Sequence, residues 1–147
     1  MRMLESSPSL EDSILLAVRA HEGQKDKAGQ PYILHPLRMM VRLHGEAERI
    51  AAVLHDVVED TSYTLDDLRG LGYSGDVLHA LDCLTRREAE TYDDFLCRVI
   101  GNPIALRVKV ADLEDNMDER RLADITERDC ERLGRYRKAW AKLTGLV

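Results

Sequence analysis

The residues able to do chemistry stand in four places: His35 before a proline, the run His55-Asp56-Val57-Val58-Glu59-Asp60, the run Asp112-Leu113-Glu114-Asp115-Asn116, and the charged stretch Lys25-Asp26-Lys27. The second is the most informative. On a helix, His55 and Glu59 lie one turn apart on one face, as do Asp56 and Asp60. They end an otherwise apolar stretch, Ile50 to Val58. An apolar helix is buried, and ionisable groups on it are costly unless paired or bound to metal. One imidazole and one carboxylate are too few for a closed site, so His35 and Asp112 are the expected donors from other helices. Two imidazoles and two carboxylates make a mixed N/O set that suits Mn²⁺ or Fe²⁺, with Zn²⁺, Co²⁺ and Mg²⁺ less favoured. Such an ion activates water and polarises a phosphoryl oxygen. Glu59 and Asp60 then stand nearby as general acid/base groups or as orienters of the attacking water.

The elements that must position these groups read as helices. Leu10, Ile14, Ala17, Val18 and His21 mark one face of a first helix capped by Ser9. Residues 23–31, with Gly29 and Pro31, break the period as a loop. A second helix is expected after Pro36, ending at Gly45, and a third from about Ala47 through the fifties. Thr64 caps a short helix through Leu71, Val77 to Leu84 form another, and Thr91 opens a helix that stops near Gly101-Asn102-Pro103. Residues 104–111 alternate enough for a strand, but their acidic continuation favours a helix entering a site. Thr126-x-x-Asp129 is close to a capping box before a final helix carrying Tyr136 and Trp140. The fold class is all-α: a single helical bundle over residues 1–147.

Composition narrows the partners. The chain has 147 residues, 44% hydrophobic and 33% charged, with a formal net charge of -6. That suits one soluble domain and argues against nucleic acid as a partner, because a basic face is lacking. No apolar run is long enough for a membrane. The expected partner is a small-molecule nucleotide; a homo-oligomer is left open. Cys83, Cys97 and Cys130 lack metal-ligand spacing and lie in helical stretches, so they read as buried, reduced thiols of a cytoplasmic protein.

Three stretches, in order, resemble the HD-domain phosphohydrolases, and among them the alarmone (guanosine tetra/pentaphosphate) hydrolase domains of the RelA/SpoT type. They are His21-x-Gly23-Gln24-x-x-Lys27-x-Gly29-x-Pro31-Tyr32-Ile33-x-His35-Pro36, then His55 to Thr61, then Val108-Lys109-Val110-Ala111-Asp112 with Asn116-Met117. The resemblance implies that His35, His55, Asp56 and Asp112 hold a divalent ion, usually Mn²⁺, and that Glu59 and Asp60 are the catalytic acidic pair. It implies substrate contacts at Lys27 and Asn116, and a stand-alone hydrolase that removes the 3′-pyrophosphate of guanosine 3′,5′-bis(diphosphate). Tyr32 is a further candidate contact, by stacking on a base, against the alternative of packing under the loop. The chain departs from the pattern at three positions where arginine is common, which here are Asp26, Leu113 and Asp118. Losing an arginine removes a stacking cation, and aspartate adds a repulsive charge. Two rivals follow: a phosphatase for another nucleotide or a phosphorylated cofactor, and a non-catalytic nucleotide-sensing module.

The remaining residues read as ordinary. Glu114, Asp115, Asp118 and Glu119 form a solvated acidic face; His44 and His79 are surface or structural; His21 supports the first loop. Lys25 and the Arg86-Arg87 pair are solvated, and Tyr136 and Trp140 belong to the core or to a terminal-helix contact.

Overall fold

The computed structural model describes residues 6–118 and 125–146. Among them are eight helices and no strand: α1 (Leu10–Ala20), α2 (Leu34–Val41), α3 (Glu46–Asp60), α4 (Leu65–Gly70), α5 (Gly75–Leu84), α6 (Tyr92–Ile100), α7 (Pro103–Asn116) and α8 (Glu127–Thr144). The all-α expectation holds, and residues 104–111 are helical throughout. No helix among the described residues is long and apolar enough to cross a membrane.

Local chemistry sets most of the boundaries. Ser9, Thr64 and Thr126 each accept from the backbone three residues on, while Asp12, Asp67 and Asp129 reach back to the cap N–H. Each box satisfies two donors that the first helical turn leaves without partners. Thr91 caps α6 and Asn102 caps α7, whose first residue, Pro103, gives up no hydrogen bond there.

Two boundaries differ from the sequence reading. Helix α2 begins at Leu34, so His35 and Pro36 lie inside its first turn rather than ahead of it. Proline is tolerated there because the N–H it lacks would have no intrahelical acceptor. At the other end α2 stops at Val41, and Gly45 is the N-cap of α3 rather than the terminator of α2.

Helix α3 is the axis of the bundle. It packs against α1, α2, α5 and α7, and Ile50 to Val57 are buried without interruption. Helix α7 is the second central element, meeting α2, α3, α5, α6 and α8. Buried residues on most of its faces include Leu106, Val108, Leu113 and the two aspartates Asp112 and Asp115. The core runs between these helices through Met39, Leu54, Leu81, Val99 and Leu143. Of the cysteines only Cys83 is buried; Cys97 and Cys130 are exposed, contrary to expectation, because they sit on the outer faces of α6 and α8. Trp140 is likewise 38% exposed and is not a core residue.

Candidate metal centre

Helix α2 supplies His35, α3 supplies His55 and Asp56, and α7 supplies Asp112, and all four are buried. The two rings are 5.7 Å apart, centroid to centroid, nearly edge to face. His35, His55 and Asp56 offer ligand atoms that lie within 4.8 Å of one another. Asp112 Oδ1 is 2.9 Å from His35 Nε2 and 3.6 Å from His55 Nε2, while Asp56 Oδ2 is 3.0 Å from His55 Nε2 and 3.9 Å from His35 Nε2. The sequence-derived set therefore meets at one point, although its members are as many as 77 positions apart.

The donor set fits a divalent cation, because the far side of each ring is tied down. His55 Nδ1 is 2.8 Å from the Ala52 carbonyl, which can only accept, so Nδ1 carries the proton. His35 Nδ1 is 2.6 Å from Asp115 Oδ2, which fixes it in the same way. Both Nε2 atoms then face the two carboxylates. A hydrogen bond on the outer nitrogen is the usual support of a metal-binding imidazole.

The protonation tendencies report the same field. Burial opposes charge on His35, but its hydrogen bonds to the Asp112 and Asp115 carboxylates outweigh it and hold the ring above its usual value. At His55 burial is again opposed and overcome, by Asp56 and Asp112, and the ring is held well above the usual range. Asp112, although buried, is held well below its usual value by Lys109 and by both imidazoles. Two buried carboxylates thus demand positive charge between the rings, which a dication meets.

Asp115 is the residue beside the candidate ligands that the sequence placed wrongly. It is not on a solvated face: it is 0% exposed. One oxygen meets His35, and the Arg38 guanidinium grips both, at 2.6 Å from Nε to Oδ1 and 3.1 Å from Nη2 to Oδ2. The signal was present as two matched spacings, His35/Arg38 on α2 and Asp112/Asp115 on α7, each i,i+3 and so each on one helix face. Glu114 pairs with Arg42 at the surface, Asp118 lines the cavity described below, and Glu119 lies outside the described residues.

Further contacts hold the acids. The Tyr32 hydroxyl donates to Asp56 Oδ2. Lys109, lying over the Phe95 ring, donates to Asp112 Oδ2 at 2.8 Å, and Asn116 donates to Asp112 Oδ1 at 3.1 Å. Tyr32 and Asn116 therefore touch the ligand set as well as the space above it. His21 does support the first loop, through Gln24 at 2.9 Å and the Tyr32 ring at 5.0 Å, while its buried Nε2 has no hydrogen-bond partner among the described residues. His44 and His79 are exposed, as expected.

A cavity of about 420 Å³ opens onto these groups. Tyr32, His35, Asp56, Asp112 and Asn116 form one part of its lining, residues 25–28 another, and Asp118, Asp129, Arg132, Leu133 and Tyr136 the rest. Lys25 is exposed, as expected, while also lining the cavity, and Tyr136, expected in the core or a terminal-helix contact, both packs against the core and faces the cavity. Lys27 stands close to the α8 cations: burial and Arg132 lower its ammonium below the usual value, and Asp129 partly offsets them. Asp26 has a local reason to be aspartate. Its Oδ1 accepts from the Ala28 and Gln30 amides, each at 2.9 Å, and so closes the turn that the left-handed Gly29 (φ 80°) completes.

Glu59 and Asp60 sit on the exposed last turn of α3, beyond that lining. Burial and the charges of Asp56 and Asp60 push the Glu59 carboxyl up, while His55 and a hydrogen bond from the Arg86 backbone pull it back. Burial and Asp56 likewise raise Asp60, against His21 and His55. Arg86 is exposed, as expected.

The chain is similar to several known proteins. No family model matches the chain. It is 38% identical over 122 residues to a GTP pyrophosphokinase of Streptomyces coelicolor, covering 74% of the chain and 14% of that enzyme. It is 36% identical over 118 residues to the guanosine-3′,5′-bis(diphosphate) 3′-pyrophosphohydrolase of Haemophilus influenzae, covering 70% and 17%. The bifunctional (p)ppGpp synthase/hydrolase SpoT of Escherichia coli is 34% identical over 122 residues, covering 74% and 17%. The chain therefore matches only a small part of each of these curated relatives. A solved structure described as a metazoan orthologue of SpoT that hydrolyses ppGpp superposes with a TM-score of 0.74 at 23% identity, covering 98% of this chain and 90% of the other. Over about three quarters of its length the chain is thus similar to one segment of RelA/SpoT-type proteins, and its fold is that of the SpoT-like structure.

Proposed function

We propose that this chain is a metal-dependent phosphohydrolase that removes the 3′-pyrophosphate of guanosine tetra- and pentaphosphate in the cytoplasm. One observation carries the reading. Two imidazoles of fixed tautomer present Nε2 beside two carboxylates, and His35, Asp56 and Asp112 of this set line a cavity that Lys27 and Arg132 also line. His35, His55, Asp56 and Asp112 would hold the ion, Mn²⁺ by preference. When bound, the ion supplies Lewis-acid activation of water and of a phosphoryl oxygen.

The protein's own groups do the rest. Lys27 and Arg132 attract the polyphosphate and offset the net charge of -6. Tyr136 offers a ring face at the same wall, and Asn116 Nδ2 a donor at the floor. Glu59 takes a proton from the attacking water at a carboxylate oxygen. Asp60, one residue on, orients that water or returns a proton to the leaving oxygen.

The test is a substrate panel with Mn²⁺: guanosine tetraphosphate, GTP, GDP and NADPH. The reading expects the tetraphosphate to yield GDP and pyrophosphate. The carboxylates Asp26, Asp118 and Asp129 at the rim favour a second reading, in which the same machinery serves another phosphorylated nucleotide or cofactor. Turnover of NADPH or GTP without turnover of the tetraphosphate would establish that reading instead. No turnover of any member, in a protein that binds no Mn²⁺, would leave only a nucleotide-sensing module.

A further inference from the structure

Tyr32 meets two of the four candidate ligands, on two different helices. Its hydroxyl donates to Asp56 Oδ2 on α3. Its carbonyl accepts from the His35 amide at 3.0 Å, one of the donors that the first turn of α2 leaves without an intrahelical partner. Its ring lies 5.8 Å from the His35 ring, centroid to centroid. Asp112 is held from outside the ligand set by Lys109 and Asn116. Among the described residues, the Tyr32 hydroxyl plays that part for Asp56. The two supports differ in kind. Lys109 brings a charge that offsets its carboxylate, whereas a phenol orients Asp56 and leaves its whole charge to attract a cation. Each carboxylate oxygen has two lone pairs. Oδ2, which is 3.0 Å from His55 Nε2, can accept the hydroxyl on one and keep the other.

Tyr32 is itself fixed from the other side. Its amide donates to the Gln24 carbonyl at 2.9 Å, and the Gln24 side-chain oxygen accepts from His21 Nδ1 at 2.9 Å. The His21 ring, buried at the end of α1, packs 5.0 Å from the Tyr32 ring at a tilt of 52°. The bridge between Lys25 and Pro31 and the Asp26 amide, which donates to the Gln30 carbonyl at 2.8 Å, close the loop between Gln24 and Tyr32. One glutamine thus holds both the Tyr32 backbone and the imidazole beside its ring. A tyrosine gripped at its hydroxyl, its backbone and its ring has few rotamers left to sample. Stacking on a base would need neither the bond to Asp56 nor the His21–Gln24 brace.

We infer that Tyr32 is a positioning residue of the ion site: its hydroxyl sets the Asp56 carboxylate, its carbonyl and ring set His35, and His21 and Gln24 hold it there. This rests on Asp56 and His35 being ligands, as in the proposed function. The effect should therefore appear in ion affinity and not in nucleotide affinity.

The experiment titrates the metal-stripped full chain with Mn²⁺ by calorimetry, and compares the wild type with Tyr32→Phe, Tyr32→Leu, His21→Leu and the combination of Tyr32→Phe with His21→Leu. Affinities are taken per folded molecule, with the folded fraction measured by urea unfolding in EDTA. Tyr32→Phe keeps the ring and loses one donor, and is expected to weaken Mn²⁺ binding about tenfold. Tyr32→Leu should weaken it at least as much. His21→Leu should cause a smaller loss, most of which vanishes once the hydroxyl is already gone. At saturating Mn²⁺, the KM for guanosine tetraphosphate should be unchanged in both Tyr32 variants. Unchanged Mn²⁺ affinity in Tyr32→Phe would overturn the inference. So would a full His21→Leu loss in the Tyr32→Phe background, because a general weakening acts in both. A raised KM with normal Mn²⁺ affinity in Tyr32→Leu would overturn it too, in favour of stacking on the base. Should Tyr32→Leu fail to fold, Tyr32→Phe decides alone. A wild type that binds no Mn²⁺ removes the ligand set and the inference together. A wild type that binds Mn²⁺ and turns over nothing, with the Tyr32→Phe loss present, keeps the positioning role and removes the proposed reaction.

Discussion

Replacing Asp115 by asparagine probes the least expected part of the site. The side chain keeps its shape and one acceptor but loses its charge. It sits fully buried between His35 Nδ1 at 2.6 Å and the Arg38 fork at 2.6 and 3.1 Å. Breaking a buried ion pair from one side costs about 3–5 kcal/mol when the stranded partner stays dry. Arg38 is 32% exposed and can turn part of its guanidinium to water, so the expected loss of stability is nearer about 2 kcal/mol. A second effect is separate. The carboxylate holds the Nδ1 proton of His35 and makes Nε2 a stronger donor to a metal, and losing such a partner costs about 10–100-fold in affinity. Urea unfolding in the presence of EDTA measures the first effect, and calorimetric titration of the stripped protein with Mn²⁺ measures the second. A variant that unfolds earlier yet binds Mn²⁺ with unchanged affinity would refute the idea that Asp115 serves His35. One unchanged in both would refute the buried pair as well.

Other changes separate the roles of neighbouring groups. Asp56→Ala is expected to abolish Mn²⁺ binding and turnover together, and Mn²⁺-dependent turnover in that variant would remove Asp56 from the ligand set. Glu59→Gln should retain the ion and lose about 100-fold or more in kcat; loss of the ion instead would make Glu59 a ligand. Burial, Asp56 and Asp60 raise the Glu59 carboxyl, and a base must be deprotonated to work. Activity should therefore fall with decreasing pH at a higher value than an ordinary glutamate gives, and a pH–rate profile of Glu59→Gln should lack that limb. Leu81→Ala empties a fully buried position on α5 and should cost about 3 kcal/mol in urea unfolding. Its Mn²⁺ affinity per folded molecule should be unchanged.

The meeting of the four candidate ligands was legible because they are rare residue types in the wrong company: His55 and Asp56 interrupt an apolar stripe, and burial forces a reason for them. The caps were legible because Ser9, Thr64 and Thr126 act within three residues of sequence. Asp115 was hidden because its partners, His35 and Arg38, are 80 and 77 positions away, and an acidic run looks solvated until the helix that carries it is known to be central. Gly45 was misread because glycine serves either side of a helix boundary, and only the path of the chain decides which. Cys97 and Cys130 fell on outward faces because an amphipathic helix has one, and sequence period alone does not assign a small thiol to either side.

The two sides of the cavity differ in how firmly they are built in. Its floor rides on α3 and α7, which are enclosed by other helices, whereas α8, carrying Arg132 and Tyr136, packs chiefly on α7 alone. Backbone amides of α3 are thus expected to exchange with deuterium only through global unfolding, while those of α8 exchange through a cheaper, partial opening. Detachment of α8 would leave the four candidate ligands in register. A bulky nucleotide could then enter and leave by one wall, with the cage beneath it undisturbed.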